Sequence, residues 1–419
     1  MNNKVKNILW YSADKYIVVL MSFITTVILS RIVEPSLLGE IVLLQSLVIL
    51  FNIVTLSAMD SVFIKKLTES GNYFKSVLLL KLVCAFSSFS LYFLYIFLFD
   101  SAIDLFSRAV IGIPLLLSFS TFVDVTLMQR KEIYKIAPKT LIIYIVFGFA
   151  KCGLLFGVDD LLSICILLVI DQIISRLFVI LYGFKNGILV LKSNKITREV
   201  LRDSFSLLNE GKYLVLSSFF LVGFVRTNQI LVDLYLGSDE LAFFSMPIKI
   251  VDGLTIIITT YVASVYPYLL SSIKNVGVEE TALRYFSGIT KVAIIIASLT
   301  FYFSDNVIYH IFGSAYSSST PVLQIYSLAI IFNYIFIASG RWFIAMSEVN
   351  FVAIRNVVAF FLNLTFSAIL IPKYGIQGAA YSSLIAWAFS GYLSCVLSKN
   401  SRWLLVAIPK SFFKLVKPL

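Results

Sequence analysis

The stretch LVLSSFFLVGFVRTNQILVDLYLG, residues 214–237, decides the fold class. It is apolar and long enough to cross a hydrocarbon core of roughly 30 Å as one helix, yet Arg226 stands near its middle. A cation at that depth costs about 2.5–3.5 kcal/mol on insertion scales. Since lipid cannot hydrogen-bond the guanidinium, a helix that keeps it must turn that face towards protein or water.

Apolar segments of this kind recur along all 419 residues, of which 59% are hydrophobic and only 14% charged. A soluble protein of this length needs more charged surface, and the alternating strands of a membrane β-barrel are not visible. We therefore predict an all-α polytopic membrane protein with about twelve transmembrane helices. The predicted spans lie near residues 8–31, 37–58, 76–99, 106–128, 140–157, 161–184, 212–235, 241–270, 287–309, 320–343, 348–371 and 376–398.

Positive residues concentrate in every second connection between these spans. By the positive-inside rule those connections and both termini face the cytoplasm. The net charge of +11 is therefore a signal of topology, and no nucleic-acid partner is expected because the cations are spread over many short loops. The basic connections contain Lys65, Lys66 and Lys75; Arg130, Lys131, Lys135 and Lys139; Lys185, Lys192, Lys195, Arg198 and Arg202; and Lys274 and Arg284.

The longest cytoplasmic connection divides the predicted spans six and six. We predict an N-terminal six-helix bundle over 1–184, a linker over 185–211, a C-terminal six-helix bundle over 212–398, and a basic tail over 399–419. In the tail, Lys410, Lys414 and Lys417 share one helical face. This pattern fits an amphipathic helix on anionic membrane lipid, and equally a frayed basic tail.

The sequence contains no pattern typical of a metal, disulfide or nucleotide site. Its four cysteines all lie in apolar spans, none in C-x-x-C spacing, and His310 is the only histidine. A P-loop of the form G-x-x-x-x-G-K-[ST] is missing. We therefore expect no cofactor and no metal, and we assign no catalytic residues.

Four stretches carry a resemblance to a known family. They are ILSRIVEPSLLGEIVLLQSLVILF (28–51), VDLYLGSDELAFFSMPIKI (232–250), IFGSAYSSSTPVLQIYSLAIIFNYI (311–335) and, most characteristic, LIPKYGIQGAAYSSLIAWAFSGYL (370–393). The chain resembles the polysaccharide flippases, the Wzx-type group within the MATE-like MOP superfamily. The resemblance covers nearly the whole chain. It departs from the family in span 7, where relatives often carry an acidic residue and this chain has Thr227-Asn228-Gln229.

The resemblance implies two six-helix bundles that face each other in a V. It implies a bacterial inner-membrane protein that moves undecaprenyl-pyrophosphate-linked oligosaccharide repeat units from the cytoplasmic to the periplasmic leaflet by alternating access. The implied pathway is polysaccharide biosynthesis, such as lipopolysaccharide O-antigen. The implied partners are the lipid-linked glycan, membrane lipids, and the polymerase and chain-length regulator of the same pathway. Non-enzymatic transport is the expected activity.

The polar residues inside the spans supply the candidate site. Arg226, Gln229 and Asp233 follow one helical stripe at i, i+3 and i+7. Deep cations come from both halves, and arginine can hold phosphate oxygens bidentately. We predict a wet, cationic cavity between the bundles that binds the pyrophosphate and glycan. Its predicted substrate ligands are Arg226, Lys151, Arg355, Lys249, Gln229, Gln45 and Asn52, and the predicted ion-coupling residues are Asp171, Asp252 and Asp233.

Other interpretations stay open at this point. The buried charges can instead pair to fix helix packing; Lys249 and Asp252, at i and i+3, are candidates for a local salt bridge. Lys81 is expected to snorkel to the cytoplasmic interface. Two other functions compete with a flippase. A multidrug exporter of the same superfamily would carry cations that a positive cavity repels, and a membrane-embedded polymerase needs catalytic groups that the short outward loops do not offer.

Overall fold

The computed structural model describes residues 3–69, 73–99, 105–158, 160–189, 198–397 and 401–413. Within these ranges the regular structure is helical, and no β-strand occurs. Residues 190–197 of the predicted linker and 399, 400 and 414–419 of the predicted tail lie outside the described residues, as do Lys414 and Lys417 of its basic face.

Sixteen α-helices follow one another along the described chain. The first nine are α1 Asn3–Ile32, α2 Pro35–Phe51, α3 Asp60–Glu69, α4 Phe74–Phe99, α5 Leu105–Ile111, α6 Ile113–Leu117, α7 Thr121–Gln129, α8 Ala137–Leu154 and α9 Leu161–Lys185. The remaining seven are α10 Arg198–Leu236, α11 Ser238–Asn275, α12 Val278–Tyr302, α13 Ser304–Phe312, α14 Thr320–Ala345, α15 Val349–Gly391 and α16 Leu404–Phe413.

Ten helical segments in the described chain are long and apolar enough to cross a bilayer. One of them, Leu105–Gln129, is assembled from α5, α6 and α7. The shorter apolar part of α1, Tyr16–Ile32, corresponds to the first predicted span. One of the ten segments, α15, contains two predicted spans. With this division and the apolar part of α1, the segments account for about twelve membrane helices, and the predicted all-α polytopic fold is confirmed.

The two arms of α15 form a hairpin that turns at Gly375. The backbone there is left-handed and non-helical, with φ 59° and ψ −142°. The hydroxyls of Ser367 and Ser382 lie 2.7 Å apart across the turn, whereas fifteen residues of straight helix would separate them by about 22 Å. A Cβ at Gly378 would lie 2.1 Å from the carbonyl oxygen of Leu370, so the arms can meet only at a glycine.

The chain forms two compact units. The first contains Met1–Val33 and Leu44–Val222, and the second contains Glu34–Leu43 and Gly223–Leu419. In the first unit α8 packs against α1 and α9, and α9 packs against α5. In the second unit α14 is the central helix and packs against α11, α12 and α15. The residue limits predicted for the two bundles, the linker and the tail stay a prediction.

The second unit also shows how a proline is kept inside a membrane helix. Pro247 lies within α11 and has no N–H, which leaves the carbonyl of Phe243 without its helical donor. The hydroxyl of Ser319 donates to this carbonyl at 2.6 Å. In lipid such a group needs a protein partner, so the serine allows α11 to continue past the proline.

Candidate functional site in the second unit

Arg226 on α10 lies at the centre of a charged cluster. Its Nη1 donates to Oε1 of Gln229, one turn further along the helix, at 3.0 Å. Its Nη2 lies 3.8 Å from Oδ2 of Asp252 on α11. Its Nε is enclosed by protein and has no hydrogen-bond partner among the described residues. The guanidinium is therefore held in place from one side and keeps unused donors.

Lys249, one turn before Asp252 on α11, is the second cation of the cluster. It lies within electrostatic range of both Arg226 and Asp252. Among the residues that the structure describes, it forms no ion pair with Asp252, so the local Lys249–Asp252 salt bridge proposed from the sequence is wrong: the carboxylate pairs with Arg226 instead. Two cations thus lie near a single carboxylate, and the cluster carries an excess positive charge.

Asp233, the third member of the predicted stripe, takes a different role. Its Oδ1 accepts a hydrogen bond of 2.8 Å from the hydroxyl of Ser238, at the junction of α10 and α11. Gln229 extends the cluster in the other direction, because its Nε2 donates to the hydroxyl of Ser245 at 3.3 Å. The stripe therefore joins the charged cluster to the turn between the two helices.

Sequence reasoning missed Asn228, which organises a buried polar network beside the cluster. Its Nδ2 donates to the hydroxyl of Ser383 at 2.6 Å and to the carbonyl of Ala379 at 2.9 Å. Its Oδ1 accepts from Asn363 at 3.0 Å and from Ser367 at 2.5 Å. One asparagine thus binds both arms of α15 to α10. The available signal was the set of small polar residues in the otherwise apolar arms.

The predicted ligands in the first unit include a tight ion pair. Nζ of Lys151 on α8 donates to Oδ2 of Asp171 on α9 at 2.7 Å, and both side chains are at most 5% exposed. The other carboxylate oxygen, Oδ1 of Asp171, has no hydrogen-bond partner among the described residues. Lys151 is therefore paired with its neighbour, as expected if the buried charges serve to fix helix packing.

Arg355 on α15 is enclosed by protein, with 1% of its surface exposed. Its Nη1 donates to the hydroxyl of Ser339 at 2.6 Å, and the guanidinium lies 4.0 Å from the ring centre of Phe336 and 5.5 Å from that of Phe343. No ion pair to Arg355 occurs in the described part of the chain. The guanidinium would reach a substrate only after its packing against α14 changes.

Two further predicted ligands, Gln45 and Asn52, lie within α2 and directly after it. Gln45 is half-buried in α2. Asn52 is exposed and begins a short 3₁₀ turn, where its Oδ1 accepts from the hydroxyl of Thr55 at 3.0 Å. Lys81 differs from its predicted interfacial position: its side chain is fully enclosed and donates to Asp60 at 2.7 Å. An acidic partner on α3 explains why it can stay buried.

The cluster around Arg226 is suited to binding an anion. Arginine's planar fork matches the oxygens of a phosphate, and lysine adds a point charge. The Asp252 side chain is 41% exposed and that of Arg226 is 16% exposed, so the cluster is accessible despite lying on apolar helices. The described residues contain no group of three or more histidine, cysteine or acidic side chains that could hold a metal ion.

Comparison with known proteins decides the family. Residues 4–273 match the family described as polysaccharide biosynthesis protein. The chain belongs to this family. The resemblance predicted from the four sequence stretches is thereby confirmed.

Several solved structures with the same fold as this chain are transporters. The lipid II flippase MurJ, in an inward closed conformation, matches with a TM-score of 0.71 and 16% identity over 97% of this chain and 91% of that one. An inward-facing multidrug resistance MATE family transporter of the MOP superfamily matches with a TM-score of 0.65 and 12% identity over 96% and 99%. A MOP superfamily transporter from Pyrococcus furiosus matches with a TM-score of 0.60 and 13% identity over 97% and 96%. The chain therefore shares the fold of these transporters.

Among curated sequences, an uncharacterized membrane protein of Methanocaldococcus jannaschii is 28% identical over 151 residues. This match covers 32% of the present chain and spans only 27% of the length of the archaeal protein. That relative is described only as a membrane protein, so the match adds nothing about the cargo.

Proposed function

We propose that this polysaccharide biosynthesis protein is a flippase for undecaprenyl-pyrophosphate-linked oligosaccharide repeat units. It moves them from the cytoplasmic to the periplasmic leaflet by alternating access. The Arg226 cluster carries the proposal, because two cations lie near a single, partly exposed carboxylate on otherwise apolar helices. A pyrophosphate headgroup supplies the negative charge that this cluster lacks, and Nη2 of Arg226, which is 3.8 Å from Asp252 and so not hydrogen-bonded to it, can donate to the headgroup oxygens.

Family and fold support the same cargo class. The family is described by polysaccharide biosynthesis, and the fold is shared with a flippase for lipid II. The fold is also shared with multidrug transporters. The excess positive charge favours an anionic cargo over the cationic drugs expected for an exporter, since like charges across a binding site are repulsive.

Most of the remaining predicted residues receive roles on this proposal. Gln229, Gln45 and Asn52 hydrogen-bond sugar hydroxyls, while Lys249 adds charge beside Arg226. Asp171, Asp252 and Asp233 are proposed for ion coupling. The proposed location is the bacterial inner membrane with both termini in the cytoplasm, in a pathway such as O-antigen synthesis alongside a polymerase and a chain-length regulator.

Deletion and complementation in the source organism test the proposal. Deleting the gene should stop surface polysaccharide and accumulate the lipid-linked repeat unit on the cytoplasmic side. Wild-type protein should restore the polymer, whereas Arg226→Ala should not, at equal protein level. Arg226→Lys should restore part of it if charge is sufficient, and none if bidentate geometry is required.

Arg284→Ala is the matched control. Arg284 is a partly exposed arginine on α12 that pairs with Glu280 at 3.1 Å within its own helix, and its loss should leave polymer production unchanged. If Arg226→Ala restores normal polymer, the cluster has no part in transport. If the deletion strain accumulates single repeat units on the periplasmic side, the protein acts as the polymerase instead.

A further inference from the structure

The ion pair between Arg226 and Asp252 differs from the other interhelical pairs in the apolar helices. Lys151 and Asp171 are 2.7 Å apart and enclosed, and Arg176 contacts Asp124 at 3.0 Å. The corresponding atoms of Arg226 and Asp252 are 3.8 Å apart, which exceeds hydrogen-bonding distance. A loose pair with an exposed carboxylate is weakly held, because solvent screens it and no hydrogen bond fixes it.

The two members of this pair are also held unequally. Arg226 is anchored through Nη1 to Gln229, which is itself buried and bonded to Ser245. Asp252 accepts no hydrogen bond in the described part of the chain, and its side chain is 41% exposed. Within this ion pair, the guanidinium of Arg226 is held by a hydrogen bond, whereas the carboxylate of Asp252 is not. An anion that approaches Arg226 meets a carboxylate in the place where its own oxygens would bind.

We propose that Asp252 is a resident counter-anion for Arg226, which the substrate's diphosphate displaces on binding and which returns when the substrate leaves. This inference rests on the proposed function, since the displacing anion is the headgroup of the proposed cargo. Asp252 keeps the unloaded site from holding a bare cation among apolar helices. It also weakens binding to a level from which the headgroup can be released. Asp252 is therefore a positioning residue that sets affinity and not a ligand of the substrate.

The test measures binding of farnesyl diphosphate, a short polyprenyl diphosphate, to the purified full chain in lipid nanodiscs by calorimetry. Asp252→Asn keeps the shape of the side chain and removes its charge. It should tighten binding by about three- to tenfold, because the competing anion is gone. Transport of a fluorescent lipid-linked diphosphate sugar in proteoliposomes should become slower at saturation, since release is delayed. Arg226→Gln should abolish binding.

Two further variants keep the result interpretable. Asp239→Asn removes the same charge from the exposed first turn of α11 and should leave affinity unchanged. Asp252→Ser, also neutral, repeats the measurement if Asp252→Asn does not fold. A gain of affinity is not an effect of structural damage, so tighter binding only at position 252 supports the inference.

The outcomes separate this inference from the proposed function. If Arg226→Gln abolishes binding while both neutral variants at position 252 bind as wild type or more weakly, Asp252 is no competitor, and the flippase proposal stands. If the wild-type protein does not bind the diphosphate at all, both proposals are overturned.

Discussion

At the residue scale, the buried cations differ in their surroundings, although the sequence predicted the same substrate-binding role for all of them. Lys151 lies against Asp171 in an enclosed pair, Arg355 lies over the rings of two phenylalanines, and Arg226 is partly exposed with a more distant partner. Only the last arrangement leaves charge available to a ligand without repacking. Burial and pairing therefore single out Arg226 as the first residue to test.

Lys151→Met should destabilise the first unit strongly. Removing the ammonium leaves the Asp171 carboxylate buried without its partner, a change that costs about 3–5 kcal/mol in enclosed pairs. The apparent melting temperature of the detergent-purified protein, followed by size-exclusion fluorescence, should fall. The double variant Lys151→Met/Asp171→Leu should recover much of the loss. A double variant no better than the single one would show that the pair is not the source of the effect.

Gly39→Ala should impair folding of the second unit. A Cβ on Gly39 would lie 1.8 Å from the carbonyl oxygen of Ser238, a backbone atom that cannot move aside. Overpacking of this kind costs about 1–3 kcal/mol. Thermal unfolding of the purified variant measures the loss. Gly253→Ala is the control, because a Cβ there meets nothing within 4 Å, and a Gly39→Ala protein as stable as this control would contradict the close approach.

At the element scale, Gly375→Ala should weaken the hairpin of α15. An L-residue at φ 59° and ψ −142° is strained by about 1–3 kcal/mol, and this strain is placed at the turn that brings Ser367 to Ser382. The variant should show a lower melting temperature. Gln377→Ala, an exposed position two residues on, should be neutral. Equal stability of the two variants would mean that the turn tolerates a side chain.

The helices themselves were predictable from sequence, and their partners were not. Hydropathy locates the spans because each needs about 20 apolar residues and must satisfy its own backbone hydrogen bonds inside lipid. Both arms of α15 could therefore be located from residues 348–398. Asp252 pairs with Arg226 on another helix rather than with Lys249, one turn away. This pairing depends on side-chain directions, which sequence spacing does not predict. The role of Asn228 was hidden for the same reason, since its partners lie about 135 to 155 positions further along the chain.

At the scale of the whole molecule, the positive-inside rule predicts which ends of the helices face the cytoplasm. In a Cys84→Ser background, Lys65→Cys should react with a membrane-impermeant maleimide only in inverted vesicles, because its side chain is exposed on the basic side. Tyr309→Cys, 59% exposed on α13, should react in intact spheroplasts. The reverse pattern would invert the proposed topology and the proposed direction of transport.

The enclosure of Arg355 also bears on how the protein is made. Synthesis proceeds from the N-terminus, so α14 leaves the ribosome ahead of α15. The Ser339 hydroxyl and the rings of Phe336 and Phe343 are then already present when the guanidinium arrives. Inserting α15 alone would be costly because it carries Arg355, and α14 supplies the contacts that offset this cost. The order of the helices along the chain therefore places the partners of this guanidinium before it in synthesis.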